Sequence, residues 1–238
     1  MTTTLITGAN KGLGFETARR LVAAGHTVYV GSRDADNGRR AAEQLGARTV
    51  VIDVTDDASV EAAVRTIEAG GGLDVLINNA GISGAEARAD DRDSFGAAAL
   101  TVEMMRPLFE TNVFGLVRVT RAFLPLLQRS TAPVVVNVSS GTASLTRATT
   151  PGAPAYDYPG VAYPASKVAV NLITVKYAKA FPSLRINAVE PGYTATDLNG
   201  FAGTQTVEQG AEIIVRMARI TPDGPTGGYF DTTGPLPW

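Results

Sequence analysis

Short apolar runs alternate with helix-patterned segments along most of the chain, and this alternation restricts the fold more than any other feature. Seven runs predict strands, at residues 3–7, 27–31, 49–53, 73–78, 133–138, 184–189 and 227–230. Strands that are apolar almost throughout are typical of parallel sheets covered by helices on both faces. The pattern predicts one α/β domain over residues 1–238, a doubly wound Rossmann fold with a seven-stranded parallel sheet.

The segments between these strands divide into helices and loops. Helices are predicted at residues 15–24, 35–45, 58–69, 102–128, 162–180 and 207–219. Two segments, 81–99 and 141–160, lack a regular pattern and are predicted to be loops. Ligands of such sheets bind beyond the carboxyl ends of the strands. Both loops are therefore expected to line the substrate site.

Composition excludes several classes of protein. The 238 residues are 45% hydrophobic, enough for one well-filled core, and the net charge of −2 comes from intermixed charges. No basic stripe points to nucleic acid or to a membrane surface. The chain has no cysteine and one histidine, His26, so no metal site or histidine-based triad is predicted. With no long apolar run and no signal-like start, we expect a soluble, cytoplasmic protein.

A glycine-rich turn follows the first predicted strand directly. Residues 8–14 read Gly-Ala-Asn-Lys-Gly-Leu-Gly, and a helix is predicted immediately afterwards. Glycines let the backbone approach a pyrophosphate, whose charge is favoured at a helix N-terminus. The spacing differs from the common Gly-x-Gly-x-x-Gly fingerprint. A tight connection is the alternative, but the position after the first strand favours a nucleotide site.

Tyr163 and Lys167 stand four residues apart in a predicted helix, which brings both onto one face. A phenol ordinarily loses its proton at about pH 10. A neighbouring ammonium favours the phenolate, so Tyr163 is predicted to act as an acid or base near neutral pH. A helix-surface pair is the alternative, because Tyr-x-x-x-Lys is common by chance.

Six short motifs occur in an order and spacing that resemble one known family. They are Thr7-Gly8-x-x-x-Gly12-x-Gly14, Asn78-Asn79-Ala80-Gly81, Asn112, Asn137-Val138-Ser139-Ser140, Tyr163-x-x-x-Lys167 and Pro191-Gly192. On these motifs the chain resembles the short-chain dehydrogenase/reductase family over essentially its whole length. Residues 111–115 and 234–238 look like the carbonyl-reductase branch of that family.

The resemblance implies a catalytic role for four polar residues. Tyr163 would be the general acid that protonates the carbonyl oxygen, and Lys167 would lower its pKa and hold the nicotinamide ribose hydroxyls. Ser140, rather than Ser139, would donate a hydrogen bond to the substrate oxygen. Asn112 would hold a water that links Lys167 to solvent through a kinked helix. Two donors placed there would stabilise the negative charge that hydride transfer builds on the oxygen. The alternatives are a loop cap for Ser140 and a helix-bending residue for Asn112.

The end of the second predicted strand indicates which dinucleotide binds. An acidic side chain there would bond a free ribose 2′-hydroxyl and repel a 2′-phosphate. The chain instead has Ser32 and Arg33, with Asp34 one residue later, and Lys11 adds a second positive charge. Arginine binds phosphate bidentately. The predicted cofactor is therefore NADP(H), with ordinary surface charges as the alternative.

The remaining cofactor contacts are implied by the resemblance. Asp53 would accept a hydrogen bond from the adenine amino group, and Thr194 and Thr196 would contact the carboxamide. The predicted cofactor-binding residues are Gly8, Asn10, Lys11, Gly12, Leu13, Gly14, Arg33, Asp53, Val54, Asn79, Ala80, Gly81, Tyr163, Lys167, Pro191, Gly192, Thr194 and Thr196.

These features predict an NADPH-dependent oxidoreductase that reversibly reduces a ketone or aldehyde, a mainly apolar small molecule, to an alcohol. A catalytically silent nucleotide-binding regulator is the alternative, although such a protein would tend to lose Tyr163 or Lys167. A sugar-nucleotide epimerase would use the same pair, but the segment after Lys167 is short for its substrate region. Both a monomer and a homo-oligomer stay open.

Overall fold

A single sheet runs through the part of the chain that the computed structural model describes, residues 2–84 and 95–238. Its strands are β1 (Thr3–Ile6), β2 (Thr27–Ser32), β3 (Arg48–Val51), β4 (Val75–Asn78), β5 (Val134–Val138), β6 (Arg185–Val189), β7 (Tyr229–Asp231) and β8 (Gly234–Pro235). Their order across the sheet is β3-β2-β1-β4-β5-β6-β7-β8. The order reverses between β1 and β4, which opens a crevice at the carboxyl ends of these strands. The predicted doubly wound Rossmann fold is confirmed.

The last strand differs from the predicted all-parallel sheet. β1 to β7 are the seven predicted strands, and they pair in parallel. β8 adds an eighth strand, antiparallel to β7, with Phe230 opposite Pro235. Asp231 Oδ1 accepts from the backbone N–H groups of Thr233 and Gly234, which forms the tight turn between the two strands. The sequence did not predict β8 because two residues, one of them proline, carry no strand pattern.

Helices cover both faces of the sheet. They are α1 (Gly12–Ala23), α2 (Ala35–Leu45), α3 (Asp57–Ala69), α4 (Val102–Phe109), α5 (Gly115–Leu127), α6 (Leu145–Ala148), α7 (Pro154–Asp157), α8 (Ala162–Ala180) and α9 (Val207–Ala218). Consecutive strand residues point to opposite faces. Leu5 packs in a core with α3, α5 and α8, and Ile6 packs in a core with α1, α2 and α9. Both faces are buried, which is why the strands are apolar throughout.

The long helix predicted at residues 102–128 is interrupted. α4 passes into a π-helical turn, Glu110–Phe114, before α5 begins at Gly115. Gly115 packs closely on the loop after β3, because an added Cβ would lie 2.8 Å from Val54 Cγ2. π-helical turns frequently occur at functional sites, and this one carries Asn112.

The structure describes all of one predicted loop, residues 141–160, and part of the other, residues 81–99. Residues 141–160 contain a 3-10 turn, Gly141–Ala143, followed by the short helices α6 and α7, so this segment is partly regular. Of the predicted loop 81–99, residues 85–94 lie outside the described part of the chain.

A buried polar network joins the two central strands to their covering helices. Asn78 Nδ2 donates to Asn137 Oδ1 at 2.8 Å and to Thr120 Oγ1 at 3.0 Å. Asn137 Nδ2 donates in turn to Thr174 Oγ1 at 2.8 Å. These bonds fix α5 and α8 relative to the carboxyl ends of β4 and β5. Buried polar groups that are paired in this way favour one unique arrangement.

Candidate active site

The glycine-rich turn between β1 and α1 is held by the chain that follows β4. Asn79 Nδ2 donates to Thr7 O at 2.9 Å and to Gly8 O at 3.0 Å. Thr7 Oγ1 accepts from the backbone N–H groups of Asn79 and Ala80. An added Cβ at Gly14 would lie 2.5 Å from Asn79 Nδ2, so glycine is required there. Asn79 and Ala80 therefore shape the turn through hydrogen bonds to its backbone.

The N-terminus of α1 has the features of an anion site. Lys11 is its N-cap residue, no side-chain cap is recorded there, and its first turn contains no acidic residue. By contrast, side-chain oxygens of Asp34 and Asp56 cap α2 and α3. The first N–H groups of a helix require a partner, and a phosphate is a suitable one. The turn therefore fits the pyrophosphate of a dinucleotide.

Lys167 is buried on α8 and points toward the end of β5. Its Nζ donates to Val138 O at 2.8 Å and lies 5.7 Å from the centroid of the Tyr163 ring. An added Cβ at Gly81 would lie 3.6 Å from Nζ, so Gly81 leaves room for the ammonium group. An ammonium group has three donor hydrogens. Burial lowers the pKa of Lys167 to about 8.

Asn112 connects the π-helical turn to the segment after β4 and to α8. Its Oδ1 accepts from Ile82 N at 2.9 Å, and its Nδ2 donates to Ile82 O at 2.9 Å and to Ser166 Oγ at 3.0 Å. Ser166 Oγ also donates to Tyr163 O at 2.7 Å. Asn112 therefore ties together the backbone that surrounds Tyr163 and Gly81.

The two serines after β5 point in different directions. Ser139 is buried, and its Oγ donates to Asn171 Oδ1 at 2.7 Å. Ser140 is half-buried, and its Oγ lies 3.0 Å from Thr142 Oγ1. Only Ser140 has a hydroxyl outside the core. This placement favours Ser140 over Ser139 as a substrate contact.

Comparison with known proteins identifies the family. A model of the family described as short chain dehydrogenase matches residues 2–206. The chain belongs to the short-chain dehydrogenase/reductase family. The predicted resemblance is thereby confirmed, and the protein is an oxidoreductase of this family.

The similarity to individual relatives covers nearly the whole chain. A (+)-neomenthol dehydrogenase of Capsicum annuum is 32% identical over 298 residues, covering 95% of this chain and 94% of that protein. The structure of salutaridine reductase from Papaver somniferum has a TM-score of 0.82 at 29% identity, covering 97% of this chain and 99% of that one. NADPH-bound carbonyl reductase from chicken fatty liver has a TM-score of 0.83 at 24% identity, covering 100% and 99%, and this likeness shows the fold.

The tip of β2, where the adenosine part of the cofactor is predicted to bind, carries an exposed arginine in this short-chain dehydrogenase/reductase. Arg33 is exposed at the tip of β2. The Asp34 carboxylate accepts from Asn37 N at 2.7 Å as the cap of α2. Asp53 Oδ1 accepts from Thr55 N and Oγ1, and these bonds, with Arg33 nearby, hold the pKa of Asp53 below its usual value. Val54, also predicted to bind the cofactor, is buried.

The predicted nicotinamide-side residues occupy the turn after β6. Gly192 has φ of +81°, a left-handed conformation that favours glycine. The buried Thr194 directs its Oγ1 to Pro191 O and Gly192 O, both at 3.2 Å. Thr196 instead lies beside the glycine-rich turn, with its Cγ2 3.5 Å from the position of a Cβ at Gly12. Thr196 therefore adjoins the glycine-rich turn.

Three other predicted cofactor residues have distinct surroundings. Lys11 pairs with Asp197, across the mouth of the crevice, and this pair is not predicted by the sequence. Leu13 packs against the core formed with α9, so only its backbone is left for a phosphate. Asn10 is half-buried in the glycine-rich turn.

Two side chains that the sequence analysis missed contact the Ser140 segment. Tyr229, on β7, donates from Oη to Ser140 O. Glu190, directly after β6, accepts from the backbone N–H group of Gly192, and its Oε1 lies beside Gly141. A carboxylate at the end of a buried strand was the available signal for Glu190. Tyr229 carried no signal of its own, because an aromatic residue in a strand is usually part of the core.

Two structural features are absent from residues 2–84 and 95–238. That part of the chain contains no group of three or more His, Cys, Asp or Glu side chains arranged to hold a metal ion. It also contains no helix with the length and apolar character that crossing a membrane requires.

The lowered pKa of Lys167 predicts how stability varies with pH. The folded protein has a Lys167 pKa of about 8, whereas an unfolded lysine has a pKa of about 10.4. Between these values the unfolded state binds more protons, so stability rises with pH. We expect the free energy of unfolding to gain about 3 kcal/mol from pH 8 to about pH 10.5, relative to Lys167→Met. Urea unfolding at several pH values measures this difference, and parallel curves for the two proteins would contradict it.

Proposed function

We propose that the protein is an NADPH-dependent oxidoreductase that reduces a ketone or aldehyde to an alcohol, reversibly, with Tyr163 as general acid and base. The observation that carries this proposal is the position of the buried Lys167 Nζ, 5.7 Å from the Tyr163 ring centroid and bonded to Val138 O at the end of β5. An ammonium group there favours the phenolate form of Tyr163. Ser140 follows two residues after Val138 on the same edge.

Tyr163, Ser140 and Lys167 each have a separate role in carbonyl reduction. The glycine-rich turn, Arg33 and Lys167 would hold NADPH, which would supply the hydride for the carbonyl carbon. Tyr163 donates its phenolic proton to the carbonyl oxygen, and the Ser140 hydroxyl donates a hydrogen bond to the same oxygen, which stabilises its developing charge. Lys167 stabilises the resulting phenolate, and its remaining donor hydrogens fit ribose hydroxyls. In alcohol oxidation the phenolate accepts the proton.

Relatives support this reaction class. A neomenthol dehydrogenase and a salutaridine reductase are both similar to the chain, and their names describe the oxidising and the reducing direction. The direct assay uses purified protein, NADPH and a panel of mainly apolar ketones and aldehydes. We expect loss of NADPH absorbance with at least one class of compound, and a matching gain when the product alcohol is supplied with NADP.

The choice of NADP(H) over NAD(H) is supported by the polar groups at the tip of β2. Ser32 is buried, and its Oγ donates to Asp34 O at 2.8 Å. The Asp34 carboxylate caps α2, so it is already engaged away from a ribose 2′-hydroxyl. Arg33 is the exposed cation at this position, and its guanidinium geometry fits a phosphate.

Replacing Arg33 tests the cofactor assignment. Hydrogen bonds to charged groups contribute roughly 1.5–3 kcal/mol, so Arg33→Ala is expected to raise KM for NADPH by about 10–100-fold. KM for NADH should change little, because NADH has no 2′-phosphate. Arg39→Ala, which removes an exposed arginine of α2 that pairs with Asp36, is the matched control. Higher activity with NADH, unaffected by Arg33→Ala, would overturn the assignment.

The second candidate function is a nucleotide-binding regulator without catalysis. This function would be indicated by tight NADPH binding, measured by fluorescence, together with no turnover of any carbonyl compound or alcohol tested. The retained Tyr163 and Lys167 favour the enzyme.

A further inference from the structure

The peptide between Ser140 and Gly141 lies between the buried Tyr229 and the half-buried Glu190. On one side, Tyr229 Oη donates to Ser140 O. On the other side, Glu190 Oε1 lies beside Gly141, 3.2 Å from the position that a Cβ would occupy there. The carbonyl and the N–H belong to one planar peptide group. The Tyr229 bond and the close contact with Glu190 therefore both restrain the rotation of that group.

Tyr229 is itself rigidly supported. The Tyr229 side chain is buried, and its ring stacks on Trp238 with centroids 5.5 Å apart. Trp238 O accepts from Thr146 N at 2.9 Å and from Thr146 Oγ1 at 2.7 Å, which ties it to α6. Burial raises the pKa of Tyr229, so its hydroxyl keeps the proton that it donates. Because this hydroxyl donates its proton to a hydrogen bond with Ser140 O, its role is to hold the Ser140 backbone in place.

Glu190 links the serine segment to the turn after β6. Its Oε1 also accepts from Gly192 N at 2.9 Å. The Pro191-Gly192 turn is where the nicotinamide carboxamide is expected, so one carboxylate holds the substrate side and the cofactor side of the site together. The carboxylate also fits closely, since an added Cβ at Gly141 would lie 3.2 Å from Glu190 Oε1.

We propose that Tyr229 and Glu190 are positioning residues that aim the Ser140 hydroxyl at the substrate oxygen. The inference rests on the proposed function, in which Ser140 is the hydrogen-bond donor. Holding the Ser140–Gly141 peptide fixes ψ of Ser140, which is 150°, and so fixes the backbone from which its Oγ projects. Thr142 competes for this hydroxyl, because Ser140 Oγ lies 3.0 Å from Thr142 Oγ1 and accepts from Thr142 N at 3.3 Å. A rotated peptide would change the balance between Thr142 and substrate.

The first test removes the phenolic hydroxyl and keeps the ring. Tyr229→Phe preserves the packing on Trp238 and loses the bond to Ser140 O. We expect kcat for carbonyl reduction to fall by about 10–100-fold, less than the 10²–10³-fold typical of losing such a donor outright. The Kd for NADPH should change less than about threefold, since the glycine-rich turn and Arg33 lie elsewhere. The control for a loss of stability alone is Tyr29→Phe. This variant removes the hydroxyl group of Tyr29, on β2, which accepts a hydrogen bond from Arg48, on β3.

The decisive test repeats the substitution without the serine hydroxyl. If Tyr229 acts through Ser140, Tyr229→Phe in a Ser140→Ala background should cause no further loss of kcat, because effects that act through one group are not additive. Equal losses of kcat in both backgrounds would overturn the proposal, as would an unchanged kcat in the wild-type background.

Glu190 provides an independent pair of variants, which also serves if Tyr229→Phe does not fold. Glu190→Ala removes the side chain that contacts Gly141 and accepts from Gly192 N, so it should lower kcat, whereas Glu190→Gln retains an acceptor oxygen and should restore much of it. Similar losses in both variants would reject an acceptor role for Glu190. A failure of this inference can be distinguished from a failure of the proposed function. If the proposed function is wrong, Tyr163→Phe leaves turnover unchanged, whatever the Tyr229 and Glu190 variants do.

Discussion

Replacing Tyr163 with phenylalanine is expected to lower kcat for carbonyl reduction by about 10²–10⁴-fold, the usual contribution of a positioned general acid. The substitution removes one hydroxyl and keeps the aromatic ring over which Lys167 lies. Binding of NADPH should be nearly unchanged, because most of the proposed contacts to the dinucleotide lie in the glycine-rich turn and at the tip of β2. The measurement is kcat from NADPH absorbance, with Kd for NADPH from fluorescence quenching.

The matched control for this variant is Tyr177→Phe. Tyr177 lies on the same helix, α8, and stacks on Phe181 away from the site. Its loss of a hydroxyl should leave kcat within about twofold of the wild-type value. Turnover of Tyr163→Phe equal to that of the control would refute Tyr163 as the proton donor.

Replacing Lys167 with methionine is expected to lower kcat by about 10²–10³-fold, because it removes a preorganised positive charge from a buried site. Methionine has a similar length and cannot donate to Val138 O. Unlike Tyr163→Phe, this change should also weaken NADPH binding, since the ammonium group is predicted to hold the ribose hydroxyls. Rates measured from pH 6 to 10 should also lose any dependence on the Lys167 pKa of about 8.

Lys176→Met is the control for charge on α8, because Lys176 is exposed on the same helix. This control should retain wild-type kcat and wild-type NADPH affinity. If Lys167→Met kept its kcat while Tyr163→Phe lost it, the phenol would be the acid without help from the ammonium group.

Features encoded by one element were predictable from the sequence. α8 runs over Ala162–Ala180, as predicted, so the spacing of Tyr163 and Lys167 alone placed both on one face. The strand that precedes the glycine-rich turn was predictable in the same way. The fold followed because apolar strands alternate with helices, and this pattern is local in sequence.

Features that depend on contacts between distant segments were not predictable. The partner of Lys167, Val138 O, is a backbone atom that sequence cannot select. The resemblance implied a kink at Asn112, but the close packing of Gly115 on Val54 joins segments that are distant in sequence. The pair of Lys11 with Asp197 depends on the path of the chain after β6. Each requires the tertiary structure that the local patterns only imply.

The short strand β8 also determines how the sheet ends. An exposed strand edge offers unpaired backbone groups to other molecules and can nucleate fibrillar aggregation. At this margin the outermost strand has two residues, Gly234 and Pro235, and proline has no N–H to donate. A neighbouring molecule therefore finds almost no template for adding a strand, so backbone chemistry protects the protein from uncontrolled stacking at this end of the sheet.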